Sequence, residues 1–353
     1  MSDERKRILA RLAAERAHLL YQLIGIDPQT LKTVPVFADW TAVHLLAHIA
    51  DYDSLHSARL RLVLEHRAHE IASIGDDTPD PLAARNAQLR AQFADCTLEQ
   101  VLAALAEARR DFLAHLAHFD DSALRSERRF LWGYDTAYKW TGSRWMHDSH
   151  HADDLRRWRK TLADTEAIGA PALLLHTLAA AQADFAASAA LVTPPEASTR
   201  RICGAWTLKD VYGHLADWNR YFIWRASLFL NLPHSAPDWE ETESINARRL
   251  QPLPQVMADE AATRAQFEAL LAAASAEEFT RSSADLDSPY RGLYDVGWSA
   301  LEHYLDHAAA LRRALGMDMP GRLLMFAGRY TCPAVCGIYF PRRDDSGLAP
   351  TDQ

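Results

Sequence analysis

Glycine is scarce in this chain, 14 of 353 residues, while alanine and leucine abound. That balance favours helix over sheet. Cysteine is scarcer still: Cys96, Cys203, Cys332 and Cys336 are the four. So few exclude a dense disulfide framework. The C-x₃-C spacing of Cys332 and Cys336 suits a disulfide or a contribution to a metal site, but alone it is a weak motif. The four are read as reduced, structural or incidental. No apolar run is long and charge-free enough to span a bilayer, so no membrane partner is expected. A net basic charge is also missing. The formal balance is -9, which argues against broad contact with nucleic acid or an anionic membrane, and no local basic patch stands out. Met1 to Arg7 has no apolar signal-peptide core, so a cytoplasmic placement is expected.

What is present is helical periodicity, in eight stretches, four per half. In the first half, Ser2 can cap a helix that carries Ile8, Leu12, Leu19 and Leu20 at helical spacing. Asp27-Pro28 ends it. A second helix runs from about Thr41 to Arg67, followed by a polar stretch that includes Asp76 to Pro81. Thr97-Leu98-Glu99-Gln100 reads as a capping box for the third, with Val101, Leu102, Leu105, Phe112 and Leu116 behind it. The fourth runs from about Ser143 to Lys160. The second half repeats the plan over about Pro171–Leu191, Thr207–Leu230, Pro254–Ala274 and Ser299–Leu315, with Gly316 as a C-terminal cap. The expected fold is all-α. Two tandem four-helix bundles, over 1–162 and 163–316, each have a long crossover between their second and third helices. Residues 317–353 match neither repeat, and strands find little support.

The repeat is explicit in one phrase. Trp40-Thr41 leads to His48-Ile49-Ala50-Asp51, and Trp206-Thr207 leads to His214-Leu215-Ala216-Asp217. Adding 166 to Trp40, His48 and Asp51 gives Trp206, His214 and Asp217. Adding 156 to His147 and His151 gives His303 and His307. Residues four apart share a helix face, so each H-x₃-H pair presents two imidazoles to one point. His48 and His214 supply a third from the neighbouring helix.

Sixteen histidines are available, and a single helical histidine is usually a surface or core residue. The same three positions recurring in two divergent halves is a stronger signal. His44 and His150 map to Asp210 and Asp306, so the repeat does not support them as ligands. Three neutral imidazoles leave open positions on a divalent ion, as in a catalytic centre. Zinc, nickel and iron all suit imidazole. Asp51 and Asp217 lie three residues past their histidines and are candidates to orient an imidazole or accept a proton. The plainer alternative is a solvated or helix-pairing aspartate. Glu302 and Asp306 are expected at the surface. Trp40 and Trp206 are expected as core anchors; Tyr52 and Trp218 are read as core packing, with pocket lining the alternative. Arg156-Arg157 and Arg312-Arg313 are expected to pair with solvent or neighbouring helices, with anion binding the alternative.

Across about Met1 to Leu315 these motifs resemble the DinB-like metalloprotein superfamily, in two tandem copies. The carriers are Trp-Thr-x₆-His-[Ile/Leu]-Ala-Asp and the His-x₃-His pairs. The resemblance implies four-helix bundles and a metal held by His48, His147 and His151, then by His214, His303 and His307. The family includes thiol-dependent S-transferases and isomerases, so a low-molecular-weight thiol cosubstrate is implied. Tyr138 to Gly142 and Leu155 to Trp158 are more weakly similar to the DfsB-like branch, which includes a cyclopropane hydrolase of colibactin resistance. Single-domain relatives commonly dimerise, and a covalent tandem can be a monomer with an internal pseudo-dimer. The expected function is activation of a thiol or water at a three-histidine metal site for attack on a small electrophile. The alternative is a non-enzymatic stress or drug-sequestering protein.

Overall fold

The computed structural model describes residues 3–71, 81–130, 133–233, 235–238, 240–282 and 289–317. Among them are thirteen α-helices and three short antiparallel hairpins, an all-α architecture. None of the described helices is long and apolar enough to cross a membrane. The chain divides into two compact units, 1–177 and 178–353.

The first unit contains α1 (Asp3–Tyr21), α2 (Pro28–Thr33), α3 (Ala42–Leu64), α4 (Pro81–Phe93), α5 (Leu98–Leu116), α6 (Asp121–Arg125) and α7 (Ala137–Arg159). α3 packs along α5 and against α7, and α1 packs along α7. The apolar stripes of these four long helices meet in a core that includes Ile8, Leu12, Leu60, Val63, Phe112, Leu116 and Trp140. Burying a side chain of this size stabilises by about 1.5–3 kcal/mol.

Each long helix also sends charge into a buried cluster. Arg16 of α1 reaches Asp53 of α3 at 2.8 Å and Asp148 of α7 at 3.1 Å. Arg109 of α5 reaches the same two carboxylates at 2.9 and 2.8 Å. Arg109 also donates to the Leu12 carbonyl at 3.2 Å. Buried charges are costly unless paired and hydrogen-bonded; here each carboxylate meets two guanidiniums.

The second unit takes in most of α8 (Pro171–Ala189), then α9 (Leu208–Phe229), α10 (Glu241–Arg249), α11 (Leu253–Ala273), α12 (Ala276–Thr280) and α13 (Leu293–Ala314). α9 packs on α10, α11 and α13, and Arg312 of α13 pairs with buried Asp184 of α8. Asn219 and Tyr304, which the repeat aligns with Asp53 and Asp148, carry no charge. Asn219 Nδ2 donates to the Tyr304 hydroxyl at 3.0 Å, and that hydroxyl donates to Glu260 at 2.7 Å.

The hairpins pair β1 (Pro35–Phe37) with β2 (Trp40–Thr41), β3 (Arg128–Phe130) with β4 (Gly133–Asp135), and β5 (Arg201–Cys203) with β6 (Trp206–Thr207). They were not expected, because two- and three-residue ladders are too short to print an alternating pattern. Two of them deliver the Trp-Thr phrase to a helix start. Thr41 Oγ accepts from the His44 amide while His44 Nδ1 accepts from the Thr41 amide, both at 3.4 Å. Thr207 and Asp210 close the same capping box at 3.3 and 2.9 Å.

Five short helices add to the eight expected. α4 and α10 occupy segments read as crossover loop, because they are short and mostly polar. α7 and α13 begin six residues before the expected Ser143 and Ser299; an interior glycine, Gly142 or Gly297, costs a helix only about 1 kcal/mol. Gly316 has φ +63° just past α13, the left-handed cap position. Cys96 is free. Ser2, the stretch Asp76 to Asp80, Cys332, Cys336 and the rest of 318–353 lie outside the described residues.

Candidate metal centres

In the first unit the second long helix, α3, carries His48 and the fourth, α7, carries His147 and His151. His147 Nε2 stands 3.0 Å from His48 Nε2 and 3.2 Å from His151 Nε2. In the second unit α9 carries His214 and α13 carries His303 and His307. His303 Nε2 stands 2.8 Å from His214 Nε2 and 3.0 Å from His307 Nε2. In each trio one ligand atom per residue lies within 4.8 Å of the others.

These trios fit a metal ion. A ring nitrogen carries either a proton or a lone pair, so the central Nε2 cannot accept from one neighbour while donating to the other. A shared cation resolves the conflict. Nitrogens about 2.1 Å from one ion stand roughly 3.0–3.4 Å apart at octahedral to tetrahedral angles. Two of the three separations in each trio, at 2.8–3.2 Å, lie close to that spacing.

Burial keeps the rings neutral, as ligands must be. Desolvation, with help from His151 and Arg144, lowers His48 to about 4. Desolvation lowers His147 too, again with Arg144 and His151 contributing. His303 and His307 are pushed well down by burial and by the neighbouring His214. In His151 and His214 burial lowers the value against an opposing carboxylate, Asp154 and Glu241 respectively.

Those carboxylates sit behind the rings. His151 Nδ1 lies 3.0 Å from Asp154 Oδ2. His214 Nδ1 lies 3.0 Å from Glu241 Oε1, at the start of α10. An acidic partner on the second nitrogen fixes tautomer and ring orientation in metal sites. Sequence reading missed both. Asp154 was visible in principle, three residues past His151; Glu241 stands in a crossover with no periodic signal.

Asp51 bonds Arg85 of α4 at 2.6 Å. Asp217 accepts from Arg248 and, at 2.5 Å, from Ser244, both on α10. Each aspartate thus fastens a crossover helix to the helix that bears the first histidine. Asp217 also acts on His214 through its charge, favouring the protonated ring. His44 is taken up in its capping box, and His150 is exposed beside Asp154.

The conspicuous aromatics pack on the histidines themselves. Ring centroids of Trp40 and Tyr52 lie 5.5 and 4.7 Å from His48, and Tyr52 is 5.0 Å from His147. Trp206 lies 4.7 Å from His214, and Trp218 lies 5.2 Å from His303. Glu302, expected at the surface, is buried, and Trp298 Nε1 donates to it at 2.9 Å. A lone acid on an amphipathic helix reads as exposed until its tryptophan partner is seen. Burial and Glu302 together push Asp306 up to about 8.

A family model of the DinB superfamily matches residues 4–155 and again 177–311. No curated protein and no solved structure matches the chain. Each matched stretch encloses one complete histidine trio, and the chain belongs to the DinB superfamily, whose domain it carries twice in tandem.

Proposed function

We propose that this is a metal-dependent enzyme in which each trio, in the repeats 1–162 and 163–316, holds one divalent ion of zinc, nickel or iron. Its reaction is attack of a low-molecular-weight thiol, or water, on a small electrophile. One observation carries the reading. Among the described residues no fourth histidine, cysteine or carboxylate joins either group, and three-ligand sites are those that leave room for a reacting molecule. The ion supplies the Lewis acidity that makes a thiol or water nucleophilic near neutral pH.

The chain's own residues do the rest. Neutral, desolvated imidazoles present lone pairs without competing protons. Asp154 and Glu241 orient His151 and His214. Trp40, Tyr52, Trp206 and Trp218 wall the rings from water, which strengthens every electrostatic interaction inside. Asp51 and Asp217 are the candidate proton acceptors, with their arginine partners setting where each carboxylate stands.

The test is metal analysis followed by turnover. Two ions per chain are expected. A panel of thiols with 1-chloro-2,4-dinitrobenzene should then show a rate that chelation abolishes and one metal restores. No metal-dependent rate with any thiol or with water overturns the proposal. A ligand that binds and is recovered unaltered would instead mark a sequestering protein.

A further inference from the structure

The two trios match in geometry, but their neighbours differ in charge. Arg144 lies three residues before His147 on α7 and is only 3 % exposed. Its Nη1 stands 3.4 Å from His147 Nδ1. Its guanidinium lies 5.3 Å from the centroid of Tyr52, the ring that packs on His48 and His147. Ser143 Oγ accepts from it at 3.1 Å. Asp53 is 4.0 Å away and already bonded to Arg16 and Arg109. The buried cluster therefore sets three guanidiniums, of Arg16, Arg109 and Arg144, against the two carboxylates of Asp53 and Asp148. Among these five groups one positive charge is in excess, beside the trio. A guanidinium stays charged at neutral pH even when it is buried. An uncompensated buried charge is expensive, and a divalent ion on the histidines adds to the same sign. His56, one turn past Tyr52 on α3, is 5 % exposed, and among the described residues its Nδ1 has no hydrogen-bond partner.

None of this recurs in the second half. The repeat offsets place Ala300 where Arg144 stands, Phe222 for His56, Asn219 for Asp53 and Tyr304 for Asp148. Phe222 packs at 6.1 Å from the His303 ring. The second trio faces an aromatic surface where the first faces a cation.

We infer that the first trio, unlike the second, is an anion site, taking a ligand with a small carboxylate-like group that Arg144 anchors beside the histidines. The inference rests on the metal-dependent reading above and gives one of the two centres a ligand class. The missing negative charge comes from the ligand, so binding neutralises the cluster. A neutral ligand of the same shape leaves the excess in place.

Acetate is the probe and acetamide its uncharged isostere, each titrated by calorimetry into the full chain in chloride-free buffer, with zinc and without. One acetate per chain is expected, with acetamide at least tenfold weaker. Arg144→Met should weaken acetate at least tenfold without changing the zinc-to-chain ratio, and Arg144→Lys should restore it to within about threefold. Should Arg144→Met fail to fold, His56→Phe, which copies the second half, should weaken acetate several-fold. Without zinc the excess charge remains, so weaker, Arg144-dependent binding persists. Acetate bound equally at two sites per chain, or unaffected by the Arg144 and His56 changes, overturns the inference. The two readings fail separately. Absence of zinc with Arg144-dependent acetate removes the enzyme and keeps the anion site; two zinc ions with Arg144-independent acetate does the reverse.

Discussion

Glu241 Oε1 lies 3.0 Å from His214 Nδ1, while Nε2 of the same ring faces His303 at 2.8 Å. A carboxylate behind a ligand imidazole raises its basicity and fixes its orientation, and losing it typically costs 10–100-fold in metal affinity. Glu241→Gln should therefore weaken the second centre by about 10–100-fold and leave the first unchanged. Asp154→Asn, behind His151, should do the converse. Competition against a chromophoric chelator, fitted to two sites, measures both. Equal weakening of both centres by either change would show that these carboxylates do not act locally.

Each trio draws one histidine from its second long helix. His48→Ala and His214→Ala should each lower the metal content from two ions per chain to about one, because two imidazoles hold a labile ion far less well than three. Elemental analysis of the purified variants reads this directly. Loss of more than half of the metal from one change alone would reveal unequal centres.

Much of this was legible in the sequence for a definite reason. Trp40-Thr41 and Trp206-Thr207 recur because each Trp packs on the histidine eight residues later and each Thr caps the helix that carries it. The H-x₃-H pairs recur because four residues bring two rings to one face. What stayed hidden depends on contacts between elements distant in sequence. Nothing in the sequence singles out Asp53 and Asp148, and only the convergence of Arg16 and Arg109 from two other helices makes them a buried cluster. Glu241, Arg85 and Arg248 sit on short crossover helices whose polar composition resembles loop. Tyr52 and Trp218 read as core because an aromatic at helical spacing usually is.

The Asp53 cluster makes an acid-sensitivity prediction. Burial alone would raise Asp53, but Arg109 and Arg16 outweigh it and hold the carboxyl down to about 2. A depressed carboxyl stabilises the fold fully above its unfolded value of about 3.9, and that contribution is lost as pH falls through the folded value. The contribution is about 2–3 kcal/mol. Urea titrations should show Asp53→Asn destabilised by about 3–5 kcal/mol at pH 7, since it also leaves two arginines under-partnered. The gap between wild type and variant should narrow below about pH 4. A gap independent of pH would show that Asp53 matters by packing alone.

The capping boxes of the two repeats offer a plainer test. Thr207→Ala removes the side-chain acceptor at the start of α9 and should cost about 1 kcal/mol. Thr207→Ser keeps the acceptor and should cost less. Thermal melts compared at a fixed temperature distinguish them, and equal losses would point to the threonine methyl group as the stabilising part.

Gly213 stands one residue before His214, and a Cβ there would collide with the Arg248 side chain. The close approach lets Arg248 reach across α9 to Asp217 and Asp259, where with Ser244 it holds α10 down. α10 in turn carries Glu241 to the His214 ring. Gly213→Ala should favour α9 locally, because alanine suits a helix better than glycine by about 1 kcal/mol. It should nevertheless displace Arg248 and loosen α10. Amide exchange should then quicken over Glu241–Arg249 and not over the rest of α9, and metal affinity should fall at the second centre only. Adding Arg248→Ala to Gly213→Ala should produce little further loss, because the two changes break one link. If the single glycine change leaves exchange and metal affinity untouched, Arg248 has room to rearrange, and α10 is held by other contacts.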